Sequence, residues 1–328
     1  GGTAWILGAV AALLLFASVL VHELSHALLA QRAGIAVPRI RLFLFGGVSE
    51  MEAEPREPRV ELRVAAAGPL TSLALAALFW LAARLPVWDA VPGGTAVVTY
   101  LATINLALGI FNLLPGFPLD GGRILRAWLW SRHGDVLAAT RTAGRVGSFL
   151  GYGLMGFGFI RLFGDHMLDG IWMILIGMFL NQAAGMSYKT LLLKNLLAGV
   201  RVRQLMSQPV VSVPEHASLE ELVGDYFYRH PHGSLPVAND DRLVGMVSVE
   251  QLKGVPRDEW IRTPVRSVMT PVSAIHPLGP DEDCVSVLER MMREGVGRLP
   301  VVVEGRIVGI LSRRDVMQLF KIRSDLAA

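Results

Sequence analysis

The chain has 328 residues, enough for two or three domains, and its formal net charge is only +3. A hydrophobic content of 52% and a mean hydropathy of +0.45 exclude an ordinary soluble protein. The small charge comes with no basic helix and no aromatic–basic interleaving, so no nucleic-acid partner is expected. Cys284 is the only cysteine, which excludes an intrachain disulfide and fits a reducing compartment.

In chain order, five apolar runs are long enough to cross or nearly cross a bilayer: 4–30, 64–83, 96–114, 146–163 and 171–186. The fourth is rich in glycine, as suits close helix packing in lipid. Residues 1–200 carry 15 Lys/Arg and 11 Asp/Glu, whereas residues 201–328 carry 16 and 17. The expected division is therefore a transmembrane domain over 1–198 and a soluble domain over 199–328. Basic residues cluster in segments 32–63, 118–145 and 188–203, while the two alternate loops hold only Arg84 and Arg161. The positive-inside rule places the three basic segments, and with them the C-terminal domain, in the cytoplasm.

The first run contains His22, Glu23 and His26 in the string H-E-L-S-H. An H-E-x-x-H helix puts two imidazoles one turn apart on one face, the spacing that grips zinc. Such groups are expensive in lipid, so chemistry is the default explanation for them. The run has no basic n-region and no cleavage-type flank, so it is not a signal peptide. His26 lies six residues before Arg32, about 9 Å from the cytoplasmic surface along a helix.

Catalytic zinc takes three protein ligands and a water. Asp120, in F-N-L-L-P-G-F-P-L-D-G-G-R at 111–123, is the best third candidate. Pro115 and Pro118 break the helix there, and irregular backbone at membrane depth is tolerated where it lines an enclosed site. The competing reading makes Asp120 an N-cap for the helix that follows. Glu23 suits a general base that takes a proton from water and passes it to the leaving amine. Asn112 is placed either to donate a hydrogen bond to the developing oxyanion or to bond a neighbouring helix.

H-E-L-S-H in a first span, A-G-P-L-T-S at 67–72 and N-L-L-P-G-F-P-L-D-G-G-R at 112–123 together resemble the site-2 protease family of intramembrane zinc metalloproteases, over roughly residues 5–195. The resemblance implies His22, His26 and Asp120 as zinc ligands, Glu23 as catalytic base and Asn112 as a substrate or oxyanion contact. It also implies a helical bundle that admits a partly unwound substrate helix. Members often have a further span before the H-E-x-x-H helix, so an N-terminal span missing from this chain is expected. Segment 40–51, with Gly46 and Gly47, predicts a short hairpin at the membrane surface. Its edge would hold an extended substrate segment by strand addition, or the hairpin only packs on the bundle. Glu50, Glu52, Glu54 and Glu57 read as a solvated face.

Residues 202–324 repeat themselves. V-R-Q-L-M at 202–206 returns as V-R-S-V-M at 265–269, and the stretch 235–252 returns without a gap at 299–316. The units, about 202–256 and 265–324, read as short strands around helices and resemble a tandem pair of CBS domains. That resemblance implies an adenine nucleotide (ATP, ADP or AMP) held at Ser312 and Asp315. The first repeat has Ser248 and Gln251 instead, so one good nucleotide site is expected, or none if the pair is purely structural. It also implies a homodimer formed through the pair. His133, His166, His216, His230, His232 and His276 read as surface residues.

The expected fold is thus a polytopic α-helical membrane protein of about five spans, with a small membrane-associated β-hairpin and a soluble α/β tandem CBS domain. The expected function is intramembrane zinc endopeptidase action on transmembrane protein substrates in the lipid bilayer of a prokaryotic cell, regulated by nucleotide at a cytoplasmic CBS pair. The alternative is a CBS-regulated ion channel or transporter that uses the intramembrane His, Glu and Asp as a cation path.

Overall fold

The structure, a computed structural model, describes residues 2–43, 46–51, 54–164, 167–230 and 233–326. The chain divides into two compact units, Gly1–Leu192 and Leu193–Ala328. The expected division at 198/199 falls at the end of a helix, Met167–Leu197. The units part earlier because Leu193 and Leu197 pack into the second unit's core.

The first unit is helical: α1 (Gly2–Arg32), α2 (Pro58–Ala82), α3 (Gly94–Asn112), α4 (Asp120–His133), α5 (Val136–Leu162) and α6 (Met167–Leu197). A two-stranded antiparallel hairpin, β1 (Arg39–Phe43) and β2 (Gly46–Glu50), follows α1. α2 is the hub, packing against α1, α3 and α4. Among the described residues, four helices, α1, α2, α3 and α6, are long and apolar enough to cross a membrane. The fifth expected run, 146–163, lies in α5, which falls short of that standard. Its Gly147, Gly151, Gly153, Gly156 and Gly158 lower the apolarity, Arg145 precedes the run and Arg161 lies near its end. The glycines have a packing reason: Gly151 lies against Gly177 and Gly158 against Gly170, so α5 runs antiparallel and close to α6.

α1 shows how composition inverts in lipid. Phe16, Leu20, Leu24 and Leu28 are exposed, while Ser18, His22, Glu23 and His26 are buried. The apolar face meets lipid, and the polar groups, which lipid cannot hydrogen-bond, face protein.

Gly46 and Gly47 do not form the hairpin's reversal. They pair in β2 with Phe43 and Leu42; residues 44 and 45 lie outside the described residues. Of the four glutamates expected as a solvated face, Glu54 and Glu57 are exposed, Glu52 lies outside the described residues, and the side chain of Glu50 is not described.

The second unit is α/β. Its strands are β3 (Val213–Pro214), β4 (Ser234–Asn239), β5 (Arg242–Ser248), β6 (Thr270–Pro271), β7 (Arg298–Val303) and β8 (Arg306–Ser312). Its helices are α7 (Leu219–Glu221), α8 (Val249–Leu252), α9 (Cys284–Glu294) and α10 (Arg313–Leu326). The sheet order is β3-β4-β5-β8-β7, with β6 on β5. The sequence repeat is a structural repeat. Leu235 pairs with Val247 as Leu299 pairs with Leu311, and a bulge follows Val237 as one follows Val301. Both hairpins turn through two positive-φ residues, Asp240–Asp241 and Glu304–Gly305, the twist that suits right-handed strands. Each repeat has its own apolar core, around Leu219, Leu222 and Val247 in one and Leu288, Met291 and Leu311 in the other.

Candidate metal centre

Three elements converge in the first unit. α1 supplies His22 and His26 one turn apart, both buried. The segment after α3 supplies Asp120. Its Gly121 and Gly122 lie where a Cβ would collide with the backbone of Leu113–Leu114 and of Gly116–Phe117, so the start of α4 sits tight against its own preceding loop. The N-cap of α4 is Leu119, with no side-chain cap bond, and Asp120 is the first helical residue. The N-cap reading of Asp120 is therefore corrected: its carboxylate is turned toward the imidazoles. Oδ2 lies 3.3 Å from His22 Nε2 and 3.2 Å from His26 Nε2, and the two Nε2 atoms are 3.3 Å apart.

α2 orients both rings. His26 Nδ1 lies 2.7 Å from the Val64 carbonyl. A carbonyl only accepts, so Nδ1 carries the proton and Nε2 offers its lone pair to the centre. His22 Nδ1 lies 2.8 Å from Ser72 Oγ, which leaves its Nε2 facing the same way. Between these contacts sits Gly68, where a Cβ would collide with the Nε2 atoms of both histidines. Val64, Gly68 and Ser72 follow at four-residue spacing, one face of a helix. None of these three was singled out from the sequence for this role. A backbone carbonyl has no sequence signature, and A-G-P-L-T-S does not say what its glycine and serine touch.

The donor set fits a zinc ion. An ion with ~2.0–2.1 Å bonds in tetrahedral geometry separates its ligand atoms by ~3.3–3.4 Å, and the three donors form a triangle of 3.2–3.3 Å sides. It is the one such His/Cys/Asp/Glu group among the described residues. Glu23 is buried beside His22. Asn112 is half-buried and ends α3. The deeper Asn105, which the sequence reading passed over, is the fully buried asparagine of that helix, donating to Ser18 Oγ and the Leu101 carbonyl.

In the second unit, Ser312 and Asp315 bond one another. Ser312 Oγ donates to Asp315 Oδ2 (2.6 Å), as does its backbone N–H (2.9 Å), and the Asp315 N–H donates back to Ser312 Oγ (3.2 Å). The pair caps α10. Ser248 and Gln251 make the corresponding cap on α8, and Gln251 also donates to Thr270 Oγ1. Ser312, Ser248 and Gln251 line one cleft of about 560 Å³ together with Arg298, Arg314 and His276. His133, His216 and His276 are exposed and His230 is half-buried; His166 and His232 lie outside the described residues.

Known proteins resemble both units. The model for peptidase family M50 matches residues 10–91 and 89–154, and the CBS domain model matches 202–256 and 265–321. The chain is 38% identical to Rip3 of Mycobacterium tuberculosis, across 97% of this chain and 82% of that protein. It is 34% identical to sll0528 of Synechocystis, across 97% and 84%. Both are named zinc metalloproteases. Among solved structures, a site-2 protease from Methanocaldococcus jannaschii is similar at 32% identity, covering 54% of this chain and 76% of that one with a TM-score of 0.43.

Proposed function

This chain belongs to peptidase family M50, the site-2 proteases, and carries a tandem CBS pair; from that premise we propose that His22, His26 and Asp120 hold the catalytic zinc and that Glu23 is the general base. The protein is a multi-pass membrane metalloendopeptidase that acts on membrane proteins within the bilayer. The observation that carries the residue assignment is the triangle of three donor atoms, 3.2–3.3 Å on a side. Bound there, zinc would polarise the attacking water and the scissile carbonyl.

The protein's own groups do the rest. The Val64 carbonyl and Ser72 hold the two rings. Glu23 takes a proton from the attacking water and hands it to the leaving amine. Asn112 donates to the carbonyl oxygen as charge builds on it. β2 lies against α1, so β1 offers the edge for an extended substrate strand. That matters because a helical peptide bond is shielded until it unwinds.

The basic segments 32–63, 118–145 and 188–203 favour a cytoplasmic CBS pair, and the bacterial relatives favour a prokaryotic cell membrane. This orientation needs α5 as a fifth crossing, which its close antiparallel run beside α6 supports. The CBS cleft, with Arg298, Arg314 and Ser312 on its wall, is of a size that suits a nucleotide. An adenine nucleotide there would regulate the protease by binding its states unequally, with Asp315 acting through Ser312. The pair also joins two copies, through exposed Met292 on α9 and Met317 and Ile322 on α10.

The test is Glu23→Gln in purified protein with a membrane peptide substrate. Zinc content stays at wild-type level while cleavage falls by about 10²–10⁴-fold. Cleavage retained at wild-type rate removes Glu23 from the mechanism.

A further inference from the structure

Two buried charged groups of the first unit lie outside the metal centre: Glu61 on α2, 1% exposed, and Arg126 on α4, 7% exposed. We propose that they form a positioning pair that fixes Asp120 at the correct distance from His22 and His26. The proposal rests on reading Asp120 as the third zinc ligand.

Three observations carry it. First, Glu61, Val64, Gly68 and Ser72 lie at spacings of three, four and four residues, so they share one face of α2. That face holds both imidazoles through Val64 and Ser72, and through Glu61 it holds α4. Second, Arg126 is on the helix that Asp120 begins, about 9 Å along its axis. Six residues also turn the side chain away from the direction of Asp120, so the aspartate faces α1 while the arginine faces α2. Third, the grip is multiple. Arg126 Nε lies 2.7 Å from Glu61 Oε1, and Nη2 bonds the same oxygen. Nη1 lies 3.5 Å from Glu54, and the guanidinium sits 5.3 Å from the ring centroid of Phe117, in the loop leading to Asp120.

A buried ion pair is a poor way to gain stability, because apolar residues of similar volume hold two helices together as well. What a guanidinium fork adds is direction and distance. A metal site tolerates little error in either. α2 is then the common jig for all three donors, and the pair sets where α4 meets it.

The variants are Glu61→Gln and the apolar double Glu61→Met/Arg126→Met, purified in detergent beside wild type and Asp120→Ala. The readouts are zinc retention against a chelator, the visible spectrum of the cobalt(II)-substituted protein, and kcat and KM on a membrane peptide. The proposal expects folded variants whose metal affinity and kcat fall by about 10–100-fold, with KM unchanged and an altered cobalt spectrum. Folded variants with wild-type zinc retention and cobalt spectrum overturn it. Failure of both variants to fold also overturns it, since the pair is then a stability element. Asp120→Ala separates the two readings: full zinc retention in that variant defeats the ligand assignment itself, whatever the pair does.

Discussion

In the first unit the buried groups include Ser18, His22, Glu23, His26, Glu61, Ser72, Asn105 and Arg126, while Trp5, Leu13, Phe16, Leu70, Trp80 and Phe149 face outward. In the second unit the fully buried side chains include Leu219, Leu222, Leu235, Leu278, Leu288, Met291 and Leu311, and no charged residue is among the buried ones described there. Its single cysteine, Cys284, follows the same rule: burial, with Asp283 adding to it, pushes the thiol up to about 11, so it stays neutral and unreactive. One chain thus folds in two solvents, and the same residue types swap places. Water drives apolar groups inward; lipid gives no such drive, so packing and polar satisfaction decide what is inside.

The two units also treat an acidic residue in the first turn of a helix differently. Asp315 turns back to Ser312 and caps α10. Asp120 stands first in α4 behind Leu119, which makes no side-chain cap, and its carboxylate points across to α1. A serine three residues upstream gives the carboxylate a local partner. Without one, it is free for a distant partner.

The sharpest way to break this comparison is at Gly68, where the interior of the membrane unit has no room. Gly68→Ala places a methyl against both Nε2 atoms. Zinc stoichiometry in the purified variant should fall to near zero, and proteolysis with it; a variant with full zinc would mean that α2 does not shape the centre. Next comes Ser72→Ala, which removes the partner of His22 Nδ1. Zinc affinity measured by chelator competition should fall by about 10–100-fold. The smallest effect belongs to the second unit: Asp315→Ala removes the carboxylate half of the α10 capping box and should destabilise that unit by about 0.5–1 kcal/mol, read as a lower melting temperature with zinc content unchanged. Saturating ATP should raise the melting temperature of the wild-type protein as ligand concentration passes Kd. No shift with ATP, ADP or AMP would leave the cleft a structural feature.

Much of this was legible in the sequence, for reasons that differ between units. His22 and His26 announce themselves because helical spacing alone puts them together, and the CBS repeat does so because each unit is written twice. Asp120 was reachable only as the acidic residue of a broken helix, 94 residues beyond His26, and two readings stayed open until the fold closed that distance. The α2 face was not legible. Val64 contributes a backbone carbonyl, Gly68 contributes the absence of a side chain, and nothing in the sequence around Glu61 names Arg126, 65 residues away, as its partner. The glycine-rich run of α5 was legible as a close-packing surface, and Gly151 and Gly158 lie against Gly177 and Gly170 of α6. The hairpin expected over 40–51 is present as β1 and β2, with Gly46 and Gly47 paired inside β2.

The central claim is that an aspartate from a broken helix completes the histidine pair. X-ray absorption at the zinc edge of the purified wild-type protein, beside Asp120→Ala, tests it most directly. The account predicts two imidazole nitrogens and a carboxylate oxygen at ~2.0–2.2 Å in the wild type, with zinc lost or the oxygen shell changed in the variant. An identical shell and full zinc content in both proteins would contradict it.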